Sequence, residues 1–438
     1  MRSRYWLPIL CLVFLVPNLF GSDEADQGQH WNPGAQVIKH VIIMMQENRS
    51  TDNLFHGLPN ADTVNFGLNS KGQKITLQPL ALANSYDLGH THVAFRVEYD
   101  GGKMDGADRV FVSCGKNCPN AQFKFVQQSD VAPYFQMAQQ YAFADHMFQS
   151  NQGESYPAHQ FVIAATSAPS ATSAMFVAEN PDGFSGAPRN TGCTAPLYEF
   201  VRLINPLGQE NQIVYPCFEH LTLMDLLDTA KLSWRFYAPS LQQIWAAPNS
   251  IKHIRMGNDW QYVVGNPSQV LNDISGNQLA SVTWVMPMVP SSDHPQENNG
   301  TGPSWISSVV NAVGNSQYWS STAIFVTWDD WGGWYDHVAP PIINSYQYGL
   351  RVPLLIVSPY AVPGCVSHVT HDFSSILKFT ETVFNLPTMG FGDVKADDLT
   401  DCFNFSQKAQ PFHRISAPLN ANYFLNNKAA LQIESDEY

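Results

Sequence analysis

Four short runs of apolar, largely β-branched residues constrain the fold of this chain most: Val41–Met45, Val282–Met286, Ala323–Thr327 and Leu354–Val357. None shows the in-out alternation of a half-exposed strand. A continuous apolar run of this length is the pattern of a strand covered on both faces, as in a parallel sheet. Helical patterns lie between and after these runs, at Leu221–Leu232 and Phe373–Val383. The alternation predicts an α/β fold with a mostly parallel central sheet and helices on both faces. Hydrophobic residues at 44% and aromatics at 12% supply the core such a fold needs and exclude a disordered chain. No internal repeat, low-complexity run or Pro/Ser linker divides the sequence. One large domain over 22–399 is therefore expected, with a less regular region at 400–438 packing on it. Asn60–Asn120 and Ala168–Asn211 are rich in small polar residues and read as loop-rich insertions that shape a pocket mouth.

Charge narrows the partners. Lys and Arg number 23 against 37 Asp and Glu, a net charge of −14. A nucleic-acid binder needs a basic footprint, and an anionic membrane surface attracts basic segments, so the charge argues against nucleic acid as a partner and disfavours binding to an anionic membrane surface. An acidic chain still acts on phosphates when a bound cation supplies the positive charge.

Residues 1–21 read as a signal for export to the periplasm or beyond: basic Arg2 and Arg4, an apolar run from Tyr5 to Phe20, then small Gly21 and Ser22. The alternative, a membrane anchor, needs roughly 20 apolar residues, and this run is shorter and broken by Pro8, Pro17 and Asn18. Without an adjacent Arg pair, the general export route is expected over the twin-arginine one. Cysteines Cys114, Cys118, Cys193, Cys217, Cys365 and Cys402 follow the signal, an even set that reads as disulfides in an exported chain. Pairing nearest neighbours gives Cys114–Cys118, Cys193–Cys217 and Cys365–Cys402. A zinc site begun by Cys114 and Cys118 would need further Cys or His ligands nearby, and the sequence has none there.

In open α/β sheets ligands bind beyond the carboxyl ends of strands. Glu47 and Asn48 follow the first apolar run, and Asp329 and Asp330 follow the third. These are hard oxygen donors suited to one divalent ion such as Ca²⁺, Mg²⁺ or Mn²⁺. Adjacent acids after a buried strand repel one another, and a cation relieves that repulsion. A third segment, Glu154-Ser155-Tyr156-Pro157, precedes the apolar run Phe161–Ala165 and marks a helix start. Ser155 reads either as an N-cap or as a nucleophile in the favourable field of a helix N-terminus. Among 14 histidines, His90, His294 and His337 occupy polar, loop-like settings. His294 follows the Val282 run and is a candidate for the same site; His253 is a further one. Trp328, Trp331, Trp334 and Tyr335 flank the Asp-Asp pair. They read as core packing, or with Trp331 or Trp334 as a receptor for a quaternary ammonium group through cation–π attraction.

Together these segments resemble the phosphoesterase family that contains bacterial and plant non-specific phospholipases C and a group of bacterial acid phosphatases. The resemblance rests on His40-Val41-Ile42-Ile43-Met44-Met45-Gln46-Glu47-Asn48-Arg49-Ser50-Thr51-Asp52, Asp293-His294-Pro295, Thr327-Trp328-Asp329-Asp330, Gly332-Gly333-Trp334-Tyr335-Asp336-His337-Val338, Gly349-Leu350-Arg351-Val352-Pro353 and Ser358-Pro359. It spans about residues 38–386. It implies an alkaline-phosphatase-like sandwich and metal-dependent phosphoester hydrolysis. On matching motifs, Glu47, Asn48, Asp329 and Asp330 would hold the metal, Ser155 would be nucleophile and metal ligand, and His294 and His90 would contact the phosphate. The chain departs from the family pattern at Pro157-Ala158-His159, where Pro-Asn-Arg is usual, and at Thr51, where an aromatic is common.

The expectation is an exported metal-dependent phosphoesterase working through a phosphoserine, phospholipase C-like, on a phospholipid or small phosphoester. An acid phosphatase acting on phosphomonoesters and an inactive phosphate- or lipid-binding protein are the alternatives. A sulfatase of the same superfold would need a Cys-x-Pro-x-Arg run, which the chain lacks.

Overall fold

The computed structural model describes Gly34, residues 37–183 and residues 190–427. The expected signal at 1–21 and residues 428–438 lie outside the described residues.

The central sheet has eight strands: β1 (His40–Gln46), β2 (Ala142–Ala144), β3 (Trp234–Tyr237), β4 (Val263–Val264), β5 (Val282–Val285), β6 (Thr322–Trp328), β7 (Leu354–Val357) and β8 (Cys365–Ser367). Their order across the sheet is β4-β3-β5-β1-β6-β7-β2-β8. All neighbours are parallel except β7, which runs antiparallel to both β6 and β2. The apolar run of β7 had been expected in a parallel strand. All four of its residues are buried, and burial on both faces produces the same continuous pattern whichever way the strand runs.

Among the described residues, five helices have eight residues or more: α1 (His92–Tyr99), α2 (Gln128–Gln140), α3 (Ser155–Ala164), α4 (Gly302–Gly314) and α5 (Phe373–Phe384). Strand register sorts them onto two faces. Ile43, Phe325 and Trp284 are aligned on one face, where Phe325 meets Phe379 of α5 and the Trp284 indole donates to Val162 O of α3. Gln46 and Trp328 point to the other face and meet Tyr134 of α2. The core residues of β1 and β6 are fully buried, each such side chain contributing about 1.5–3 kcal/mol. The helix expected at Leu221–Leu232 is shorter, Leu223–Thr229, started by a Thr222–Asp225 capping box.

The three expected disulfides are formed. Cys365–Cys402 ties β8 to the chain after residue 400, and Phe403, Ile415 and Phe424 enter the main hydrophobic core. The insertion at 168–211 carries part of a second, small antiparallel sheet around Glu199–Ile204.

Candidate active site

Parallel β1 and β6 are adjacent, so their carboxyl ends deliver Glu47-Asn48 and Asp329-Asp330 to one place. The turns are stitched together. The Asp329 amide donates to Gln46 O, the Arg49 amide to Asp330 O, and the Asn48 amide to Asp329 Oδ1 at 2.9 Å. Asn48 has φ 58°, a left-handed conformation that Asn tolerates better than most residues. Two glycines make room. A Cβ at Gly332 would lie 2.4 Å from Asn48 O, and one at Gly333 would lie 2.6 Å from the Leu88 Cβ; both have positive φ. The Asp-Asp turn thus packs against Asn48 on one side and against the segment holding His90 on the other.

Glu47, Asn48, Asp329 and Asp330 are fully buried. Asn48 Oδ1 and Asp329 Oδ2 are buried acceptors with no hydrogen-bond donor. Three carboxylates gathered out of water carry a large mutual repulsion and desolvation cost, which a cation offsets. Acceptors without donors beside clustered carboxylates are the chemistry of a cation site, and the residues fit a divalent ion. The burial of Asn48 also removes the Asn48-Arg49-Ser50 triplet as a glycan acceptor.

Ser155 is the first residue of α3, and Glu154 occupies the cap position, so the N-cap reading of Ser155 does not hold. Its hydroxyl donates to Asp330 Oδ2 at 3.4 Å. His90 lies between the same groups. Its Nδ1 is 2.9 Å from Leu88 O, and its Nε2 is 3.0 Å from Asn48 Nδ2 and 3.7 Å from Asp330 Oδ2. With Nδ1–H donating to Leu88 O, Nε2 accepts from the Asn48 amide and turns Asn48 Oδ1 the other way. His294 is buried on the loop beyond β5, with Nδ1 2.8 Å from Pro295 O. That loop reaches the site through Ser292 O, which accepts the Glu47 amide.

Sequence reasoning passed over two residues that the structure puts here. His159, fully buried one turn beyond Ser155, has Nε2 3.3 Å from Glu47 Oε1 and 4.0 Å from Asp329 Oδ2. Burial pushes its pKa down to about 4, with the Asp329 charge opposing. Its position four residues after Ser155 on a helix was the available signal. Arg49 is fully buried and holds the surrounding loops: it donates to Asp293 O, Leu82 O, Asn84 Oδ1 and Asn53 Oδ1. Burial lowers its pKa to about 10, which leaves it charged. The Asp293 carboxylate in turn accepts from the Tyr134 hydroxyl and the Trp328 indole, fixing the loop of His294.

Three expected residues are placed differently. His253 sits between Glu219 and Asp225, at 2.5 and 2.9 Å, and both ring nitrogens are engaged there. Trp331 and Trp334 have no exposed surface. The Trp331 indole donates to Glu98 Oε2 and packs with Phe95 and Leu350. Trp334 packs with Tyr86 and Leu88 and lies 5.2 Å from the Arg49 guanidinium, which occupies its ring face. Neither ring is open to a quaternary ammonium, because both are fully buried. His337 belongs to a separate network with Asp52, Asp62 and, through Asp52, Arg351.

A family model described as "Phosphoesterase family" matches residues 38–387. "Phospholipase C B" of Mycobacterium tuberculosis is 24% identical, over 85% of this chain and 79% of its own length. "Non-hemolytic phospholipase C" of Pseudomonas aeruginosa is 25% identical, over 86% of this chain and 58% of its own length. "Non-specific phospholipase C6" of Arabidopsis thaliana is 24% identical, over 82% of this chain and 70% of its own. Among solved structures, a protein in the alkaline phosphatase superfamily from Vibrio parahaemolyticus is 12% identical with a TM-score of 0.39, covering 83% of this chain and 72% of that one.

Proposed function

The chain belongs to the Phosphoesterase family and is a hydrolase acting on phosphoric ester bonds, and from that premise we propose an exported, metal-dependent, phospholipase C-like enzyme that works through a phosphoserine at Ser155. The observation that carries this reading is the Ser155 hydroxyl, first in its helix, donating to Asp330 within the buried carboxylate cluster.

In this reading Glu47, Asn48, Asp329 and Asp330, with Ser155, hold one divalent ion. That ion, when bound, supplies the positive charge that lowers the pKa of a ligating hydroxyl and offsets the charge of phosphoryl oxygens. Ser155 Oγ attacks phosphorus as its proton passes to water; the phosphorus–oxygen bond to the alcohol breaks. Water then hydrolyses the phosphoserine and restores the hydroxyl. The positive end of the α3 dipole favours the dianionic phosphoserine. His90 orients Asn48 by accepting its amide hydrogen. His294, with Nδ1 committed to Pro295 O, is assigned to protonate the leaving alkoxide through Nε2.

Export is supported by the three disulfides and by the basic-then-apolar first twenty residues. Among the described residues, no helix is long and apolar enough to cross a membrane. The test is to offer purified protein p-nitrophenyl phosphate and phosphatidylcholine separately. Release of diacylglycerol and phosphocholine supports the phospholipase C reading. Turnover of the monoester alone identifies an acid phosphatase, and turnover of neither contradicts the enzyme reading.

A further inference from the structure

His159 has no place in the oxygen-only ligand set. It has no exposed surface, and neither ring nitrogen has a hydrogen-bond partner. Buried polar groups are nearly always satisfied, so an imidazole in this state needs an explanation. Its ring lies near Trp245, with centroids 6.4 Å apart and planes 22° from parallel, which restricts its rotation. Nε2 is 3.3 Å from Glu47 Oε1, and ligand atoms of Glu47, His159 and Asp329 all lie within 4.8 Å of one another. Donor atoms bound to one ion at about 2.0–2.2 Å are about 3.0–3.5 Å apart in adjacent positions. Asp329 Oδ2, the third atom, also lacks a hydrogen-bond donor. The helix explains the convergence. Ser155 and His159 are four residues apart on α3, so the hydroxyl and the imidazole project from consecutive turns of one face toward the two strand ends.

We propose that His159 supplies a nitrogen ligand to the ion at this site, making the centre a mixed imidazole–carboxylate one. The inference rests on the metal-dependent reading above and narrows it. An imidazole suits first-row transition ions, whereas Mg²⁺ and Ca²⁺ prefer oxygen. The site therefore takes Mn²⁺, Fe²⁺, Co²⁺ or Zn²⁺ in preference to Mg²⁺ or Ca²⁺, a class that shares only Mn²⁺ with the all-oxygen set read from the sequence.

The experiment strips the purified full-length protein with chelator and reloads it with Mn²⁺, Co²⁺, Mg²⁺ or Ca²⁺. Affinity is read by calorimetry, and the Mn²⁺ form is examined by pulsed electron paramagnetic resonance with natural and ¹⁵N-histidine-labelled protein. The expected result is Mn²⁺ or Co²⁺ binding about tenfold or more tighter than Mg²⁺ or Ca²⁺. A directly bound nitrogen that changes isotope with the histidine label is expected too. In His159→Ala or His159→Gln that nitrogen signal disappears and Mn²⁺ binds about tenfold or more weakly. The Gln variant serves where the Ala variant does not fold. An ion bound with no histidine nitrogen coupling, or unchanged metal preference in either variant, overturns the inference and leaves the oxygen-ligand reading intact. Phosphoester turnover by protein that binds no ion overturns both.

Discussion

The Asn48 amide donates to Asp329 Oδ1 at 2.9 Å, joining the residues that follow two neighbouring parallel strands. The bond spends one oxygen of Asp329 on the backbone and leaves the other facing His159 at 4.0 Å. The site is thus built mainly from main-chain geometry at the carboxyl ends of two central strands, and single side-chain changes should alter its chemistry more than its shape.

Asp330→Asn should show this. Asp330 accepts from the Ser155 hydroxyl through Oδ2 and from the Gly332 amide through Oδ1. An amide keeps an oxygen for Gly332 but removes a ligand charge. Activity at low metal concentration should fall sharply and recover in part with excess metal. Unchanged metal content with no rescue would remove Asp330 from the ligand set.

Trp334→Ala should destabilise rather than change head-group preference. The ring is fully buried, packs with Tyr86 and Leu88 and faces Arg49. Truncation leaves a cavity costing about 3–5 kcal/mol. Urea denaturation should show that loss, and the ratio of phosphatidylcholine to phosphatidylglycerol turnover in the remaining folded enzyme should not move. A lost choline preference at unchanged stability would return Trp334 to the pocket.

His253 sets a pH dependence of stability. Its hydrogen bond to Asp225, aided by Glu219 and opposed by partial burial, raises its pKa from 6.5 to about 9. The folded state binds this proton more tightly than the unfolded state does. The stabilisation is therefore full below about pH 6.5 and is lost as pH rises through about 9. Solvent reaches the pair, so after screening it is worth about 1 kcal/mol. His253→Gln should cost that much near about pH 6 and almost nothing near about pH 10, as read by urea unfolding at each pH. An equal cost at both would mean that packing dominates.

The parts legible in the sequence were those written as local patterns. The apolar runs of β1, β5, β6 and β7 located four sheet strands, and the polar residues after β1 and β6 located the carboxylate cluster. What escaped depends on contacts between distant segments. β2 and β8 have three residues each, too short for a periodic signal. The direction of β7 is set by pairing and leaves no trace in composition. Arg49 reads as an ordinary charged residue, yet it bonds to Leu82, Asn84 and Asp293 across long stretches of chain. The tryptophans were ambiguous because core aromatics and pocket aromatics have the same sequence, and only burial separates them.

The central claim is that Ser155 carries the phosphoryl group. The direct measurement is to quench steady-state turnover in acid, digest the protein and map phosphate by mass spectrometry, with Ser155→Ala as control. The account predicts a phosphorylated Ser155 peptide during turnover that vanishes when substrate is exhausted, and an Ala variant that is folded, unlabelled and without turnover. Full activity in Ser155→Ala, or label on another residue with Ser155 unmodified, would contradict it.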